Sequence, residues 1–199
     1  MNFAELVSEV ISITKRPDLA DRTQGAVRAA TQKLHQSDFF FKDLVEIPVQ
    51  FSESAFIQNF LPTDVLPRFR KAKYIRYWIG DANGQPGPFL KQIQIENALD
   101  TYGYQRNNVF YLAGQMIQIR ANPAVYRVLF GAYVHPVLLP AESYQSWIAD
   151  EAPYAIIYEA ARTVFRSISL QEQAAEYTRL AGEILAELKM SYVDDIALT

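Results

Sequence analysis

Few residues in this chain are equipped for chemistry, and their spacing does not gather them. His35 and His135 are the two histidines among 199 residues. A metal site needs converging ligands, commonly a second histidine four residues along the same helix, and neither histidine has such a companion. His35 falls at the end of a predicted helix, where imidazole interacts favourably with the helix dipole. His135 precedes Pro136 at the end of a predicted strand. The acidic pairs Asp18 with Asp21 and Asp194 with Asp195 would serve acid–base work only if buried beside a group that splits their pKa values. Helix capping and a solvated tail explain both. No Gly-x-Gly-x-x-Gly, Walker-type or Gly-x-Ser-x-Gly segment occurs. There is no cysteine, which removes disulfides, thiolate metal sites and thiol nucleophiles. The expectation is a protein that is not an enzyme and carries no cofactor or metal.

The remaining chemistry is ionic. Arg68, Arg70, Lys71, Lys73 and Arg76 put five cations into nine positions, interleaved with Phe69 and Tyr74. Cations among aromatic rings suit a nucleic-acid stripe, and equally a solvated strand face or an intersubunit salt-bridge surface. From Asp150 onward there are nine acidic and four basic residues, a candidate complement to that cluster between copies. The net charge of −3 is too small to indicate a nucleic-acid coat. No apolar run approaches the roughly 20 residues needed to span a bilayer, and the N-terminus shows no export signal, so no membrane partner is expected.

These residues must be positioned by elements of two kinds. Phe3, Leu6, Val7, Val10 and Ile11 share a helical face, and Asn2 with Glu5 fits a capping box. Pro17 interrupts, and Asp18 with Asp21 restarts a helix expected to reach His35. From Val45 the pattern alternates: Val45, Ile47, Val49 and Phe51 oppose Glu46, Pro48 and Gln50, with Pro48 marking an edge strand. A short helix or turn is expected over Ser54 to Asn59, then a strand from Tyr74 to Ile79 and a turn over Asp81 to Pro88. Val109–Leu112 and Gln115–Arg120 flank a tight turn at Ala113-Gly114. A last strand is expected over Tyr126–Val134.

Helical spacing returns after Asp150, with Pro153 suited to a first turn and Tyr154, Ile157, Ala161, Val164 and Phe165 as its stripe. Ser169 and Glu172 read as another capping box, opening a helix whose apolar side is Ala174, Tyr177, Leu180, Ala181, Ile184, Leu185 and Leu188. Phe39, Phe40 and Phe41 cannot all face inward on one element, so at least one must meet another loop or chain. An amphipathic helix pair at each end implies that the pairs pack together. The expected fold is therefore α+β: an antiparallel four-helix core, residues 1–43 and 150–190, with an inserted small antiparallel β module at 44–149 and a C-terminal arm at 191–199.

Several segments resemble head-to-tail adaptor (connector) subunits of tailed bacteriophages. They are Phe3-Ala-Glu-Leu-Val and Lys15-Arg-Pro-Asp-Leu19 with the alanine-rich helix after them; Val109 to Ile119 and Tyr133-Val-His-Pro136; and Pro153-Tyr-Ala-Ile-Ile157 with the final Ala/Glu/Leu-rich helix. The resemblance implies a homo-oligomeric ring of about twelve copies. That ring docks on the portal protein, joins capsid to tail or neck, and lets DNA pass through its lumen without sequence-specific binding. It implies a place in the virion at the head–tail junction, with assembly in the host cytoplasm. Carried over by position, the portal-docking arm is Tyr192, Val193, Asp194, Asp195, Ile196 and Leu198. The large insertion departs from simpler adaptors, and a tail-terminator or collar subunit and a nucleic-acid-binding module stand as alternatives.

Overall fold

The computed structural model describes residues 1–78, 86–99 and 106–193. Six helices and six strands alternate in blocks along it. The first helices are α1 (Phe3–Thr14) and α2 (Ala20–Gln36). Next come β1 (Leu44–Phe60), the single turn α3 (Pro62–Val65), β2 (Phe69–Trp78), β3 (Pro86–Phe89), β4 (Lys91–Gln92), β5 (Val109–Ala113) and β6 (Met116–Val134). Last are α4 (Trp147–Glu151), α5 (Pro153–Ser167) and α6 (Gln171–Tyr192). The chain divides into two compact units, Met1–Asp43 with the chain from His135, and Leu44–Val134.

In the helical unit, α1 begins as its sequence dictates. The Asn2 side chain accepts from the Glu5 amide and the Glu5 carboxylate accepts from the Asn2 amide, both at 2.9 Å. Lys15, at φ 55°, ends the helix in the left-handed region and donates its amide to the Ile11 carbonyl. The next two starts differ from expectation. Asp18 is engaged by the Arg16 guanidinium at 2.7 and 2.8 Å instead of capping α2, which is entered through a 3-10 turn at Pro17–Leu19. Ser169 has φ 63° and forms the left-handed link between α5 and α6, so the capping box read at Ser169 and Glu172 does not form.

Helix α5 is the centre of this unit. Ala155, Ile156, Ile157, Ala160, Ala161 and Val164 are fully buried against Leu6 and Val10 of α1 and Val27, Ala30 and Leu34 of α2. Truncating any large member of such a set to alanine costs about 2–5 kcal/mol. Helix α6 lies against α5, with Tyr177 packed between the rings of Tyr158 and Phe165 at 5.5 and 5.4 Å.

In the β unit, β6 is a 19-residue spine. Along it β1 runs antiparallel, Leu44–Gln50 against Tyr133–Arg127 and Ile57–Phe60 against Arg120–Ile117, with register shifts on either side of Ala55. β2 pairs with the second half of β6 and β5 with the first half. The β3–β4 passage closes the far side: the Leu90 amide donates to the Ile75 carbonyl of β2, and the Lys91 amide to the Asn108 carbonyl beside β5. The result is a nearly closed, six-stranded mixed barrel, mixed because β4 and β5 are parallel. Its own core contains Ile75, Phe110, Ile117, Ile119, Val128 and Phe130.

The expected four-helix core with a small antiparallel insertion is therefore corrected. The β part is a barrel with its own interior, and α6 packs mainly on α5, adding Ala174 and Leu188 to the helical core. Two local readings fail for one reason. β1 continues through Ser54–Asn59, read as a helix or turn, and β6 joins two strands read as separate across Ala121–Val125. Polar residues and Pro123 interrupt the alternation there, while the paired segments on either side, with Ala55 against Val125 between them, carry the strands through. Among the described residues β1 pairs with β6 alone, as expected for the edge strand that carries Pro48. Residues 135–149, read as the end of the insertion, belong to the helical unit, where Tyr144 meets Phe3 at 5.4 Å and Thr31 at 2.8 Å.

Candidate functional site

The last turn of α6 includes Ser191 and Tyr192, where the expected C-terminal arm begins, and Val193 follows as its C-cap. Lys189 donates to the Ser37 carbonyl at 3.1 Å and pairs with Asp38 at 3.2 Å, tying the last turn to the end of α2. Val193 forms an antiparallel bridge with Phe40 and donates its amide to the Lys189 carbonyl. The Tyr192 ring lies 5.1 Å from Trp147 and 5.7 Å from Phe41, and the Lys42 ammonium sits 4.6 Å from its centroid. Lys42 and the Tyr192 hydroxyl both donate to Glu151. Lys42 first, and then Tyr192, holds the Glu151 carboxyl below its ordinary range; the same Glu151 bond, with desolvation, raises the Tyr192 phenol. Asp194, Asp195, Ile196 and Leu198 lie outside the described residues.

The aromatic triplet distributes itself over this root. Phe40 is buried against Trp147 at 5.3 Å, and Phe41 is 48% exposed beside Tyr192. That division satisfies the steric expectation from three consecutive rings.

Behind Trp147 lies an arrangement the sequence did not reveal. His35 Nδ1 is 2.8 Å from Asp43 Oδ1 and His35 Nε2 is 2.9 Å from Ser146 Oγ, while Trp147 Nε1 donates to the same Asp43 oxygen at 2.8 Å. The order Asp–His–Ser matches a hydrolase triad in connectivity. Its surroundings do not suit that chemistry. Ser146 is 6% exposed and its Oγ caps α4 by accepting from the Ala149 amide at 3.3 Å, while His35 is 2% exposed. A nucleophile needs an approach for the carbonyl and donors for the oxyanion. Here the serine ties α4 to α2 and to the turn at Asp43. His35 does end α2, but it engages a carboxylate and a hydroxyl. Residues 8 and 111 positions apart leave no motif spacing to read. Among the described residues, no group of three or more His, Asp or Glu converges as a metal site.

The basic cluster lies in the β unit, in a run that does not alternate regularly. Arg68 precedes β2, and Arg70, Lys71, Lys73 and Arg76 lie on it. Register shifts between Phe69 and Lys71 and between Ala72 and Tyr74 place Ala72 and Ile75, three positions apart, both in the barrel core. Arg68 and Lys71 are exposed, and Arg70, Lys73 and Arg76 half-buried. Arg76 donates to the Gly87 carbonyl at 2.8 Å and lies over the Phe89 ring at 4.8 Å. Next to it Arg127 covers Trp78 at 4.3 Å, and the Tyr74 hydroxyl donates to Glu46. Tyr74 lies across Gly131, where an added Cβ would come within 2.6–2.8 Å of its ring. The sheet thus carries a cross-strand set of arginines and aromatic rings.

No described helix is long and apolar enough to cross a membrane. No family model and no curated protein matches the chain.

Proposed function

We propose that this protein is a structural assembly subunit, a head-to-tail adaptor that forms a ring, docks on a portal through its C-terminal arm and joins capsid to tail while DNA passes through its lumen. The observation that carries this reading is the construction of α6. The helix is 22 residues long, packs along one side on α5, and keeps Glu172, Glu176, Glu183 and Glu187 exposed with Ala175, Gly182 and Ala186 on the other. It delivers the chain at Tyr192–Val193 to a fixed exit point. A rigid helix that ends in an anchored root lowers the ordering cost for whatever follows it when a partner is engaged. The buried Asp43–His35–Ser146 network holds the root's platform in this reading and takes no part in catalysis.

The test is direct imaging of the purified protein with and without a candidate portal protein. Rings seated on the portal, lost when residues 191–199 are deleted, support the adaptor. Unchanged docking with defective tail joining in the same deletion supports a collar subunit instead. A monomer that never binds portal and is dispensable for joining heads to tails overturns both.

A nucleic-acid-binding role is favoured by one observation, the cross-strand set of Arg76, Arg127, Tyr74, Trp78 and Phe89 on the sheet. Binding of that kind would weaken steeply with salt, and neutralising the two arginines would flatten the slope.

A further inference from the structure

The Tyr192–Val193 root and the buried network meet at one side chain. Trp147 gives its Nε1 hydrogen to Asp43 Oδ1, packs at 5.8 Å from His35 and 5.3 Å from Phe40, and has Tyr192 at 5.1 Å and the Lys42 ammonium at 5.6 Å. What holds Tyr192 and Val193 over it is confined to the helix end: both are half-buried against the edge of the helical core, with one isolated β-bridge, one ring contact with exposed Phe41, and the Lys42–Glu151 ion pair beside Tyr192, whose side chains are 27% and 38% exposed. By contrast, α5 is anchored by fully buried aliphatic side chains. Half-buried contacts at the frayed end of a helix open at lower free energy than a fully buried core.

We propose that Tyr192 and Val193 form a strap over Trp147 that opens as a unit while α5 stays folded, so that release of the C-terminal chain and uncovering of Trp147 are one event. This rests on the reading that the chain beyond Val193 engages a partner, and it adds a regulatory step to it. With the strap closed, the exit direction of the arm is set by the Phe40 bridge. With it open, the arm gains reach, and Trp147, Phe40 and Phe41 become an aromatic surface next to Lys42. Trp147 couples the two states to the network because its ring faces the strap and its Nε1 holds Asp43.

The experiment needs no partner, so its outcome is separate from that of the portal-docking test. In a Trp78→Phe background, Trp147 is the sole tryptophan. Acrylamide quenching of its fluorescence is measured together with amide exchange of α5, for the otherwise unchanged chain, Tyr192→Ala and Tyr192→Phe. The strap predicts that Tyr192→Ala raises the quenching constant about threefold while α5 exchange stays within about twofold, as expected when opening is local. Tyr192→Phe, which keeps the ring and loses the Glu151 bond, falls between. Equal quenching in Tyr192→Ala and the parent overturns the proposal. So does loss of α5 protection in step with quenching, because Tyr192 would then be an ordinary part of the core.

Discussion

At the scale of single residues, the Asp43–His35–Ser146 network is the sharpest object in the molecule. Removing one partner from a buried set leaves the others desolvated and unsatisfied, which costs more than the bond itself contributes. His35→Ala is expected to lower the unfolding free energy of the protein by about 2–4 kcal/mol in urea titration, and Ser146→Ala by about 1–2 kcal/mol. If the network were catalytic, Ser146 would react with a fluorophosphonate in the native protein. The expected result is no adduct on the native protein, and a stoichiometric adduct at Ser146 would overturn the structural reading. Glu151 gives a pH test. Its folded-state pKa is depressed by Lys42 and Tyr192, so its contribution is present above the unfolded value near 4.5 and is lost as pH falls through the folded value. Acidification below about pH 4.5 should therefore loosen the strap, seen as rising Trp147 quenching. Glu151→Gln should remove that dependence.

At the scale of elements, what was legible in the sequence was whatever local chemistry decides. The capping box at Asn2 and Glu5, the turn at Gly114 with φ 64°, Pro153 opening α5 and the apolar side of α6 all follow from residues within a turn or two. What partner strands decide was not legible. Ser52, Glu53 and Ser54 carry no strand pattern, yet β1 passes through them between two segments paired with β6, and the Gln58 amide donates to the Glu53 and Val125 carbonyls at 2.8 Å where the register slips. Replacing Gln58 with leucine strips two carbonyls of that donor and should destabilise the protein by about 1–3 kcal/mol, measured by urea denaturation. The ring of Tyr74 on Gly131 makes a paired prediction. Gly131→Ala should cost about 1–3 kcal/mol by displacing that ring, and much less in a Tyr74→Ala background, a coupling that a double-mutant cycle reads directly.

For the whole molecule, the correction from a four-helix core to a helical unit plus a nearly closed barrel alters how the assembly reading is argued. The ends of the chain do meet, since α1 and α2 pack on α5, which is as far as matched amphipathic helices could reveal. That α6 would keep one long face exposed, and that the mid-chain would own a core, depended on pairings between distant residues that periodicity does not encode. Of the expected arm, Tyr192 and Val193 sit on a platform of Phe40, Phe41, Lys42, Trp147 and Glu151, assembled from segments more than 100 positions apart that no local spacing links. The most direct measurement is electron microscopy of the protein mixed with the portal protein that the proposed adaptor role requires, alongside the chain truncated after Met190. Rings on the portal for the full chain and none for the truncated one are predicted; monomers with no portal density for the full chain would contradict the account.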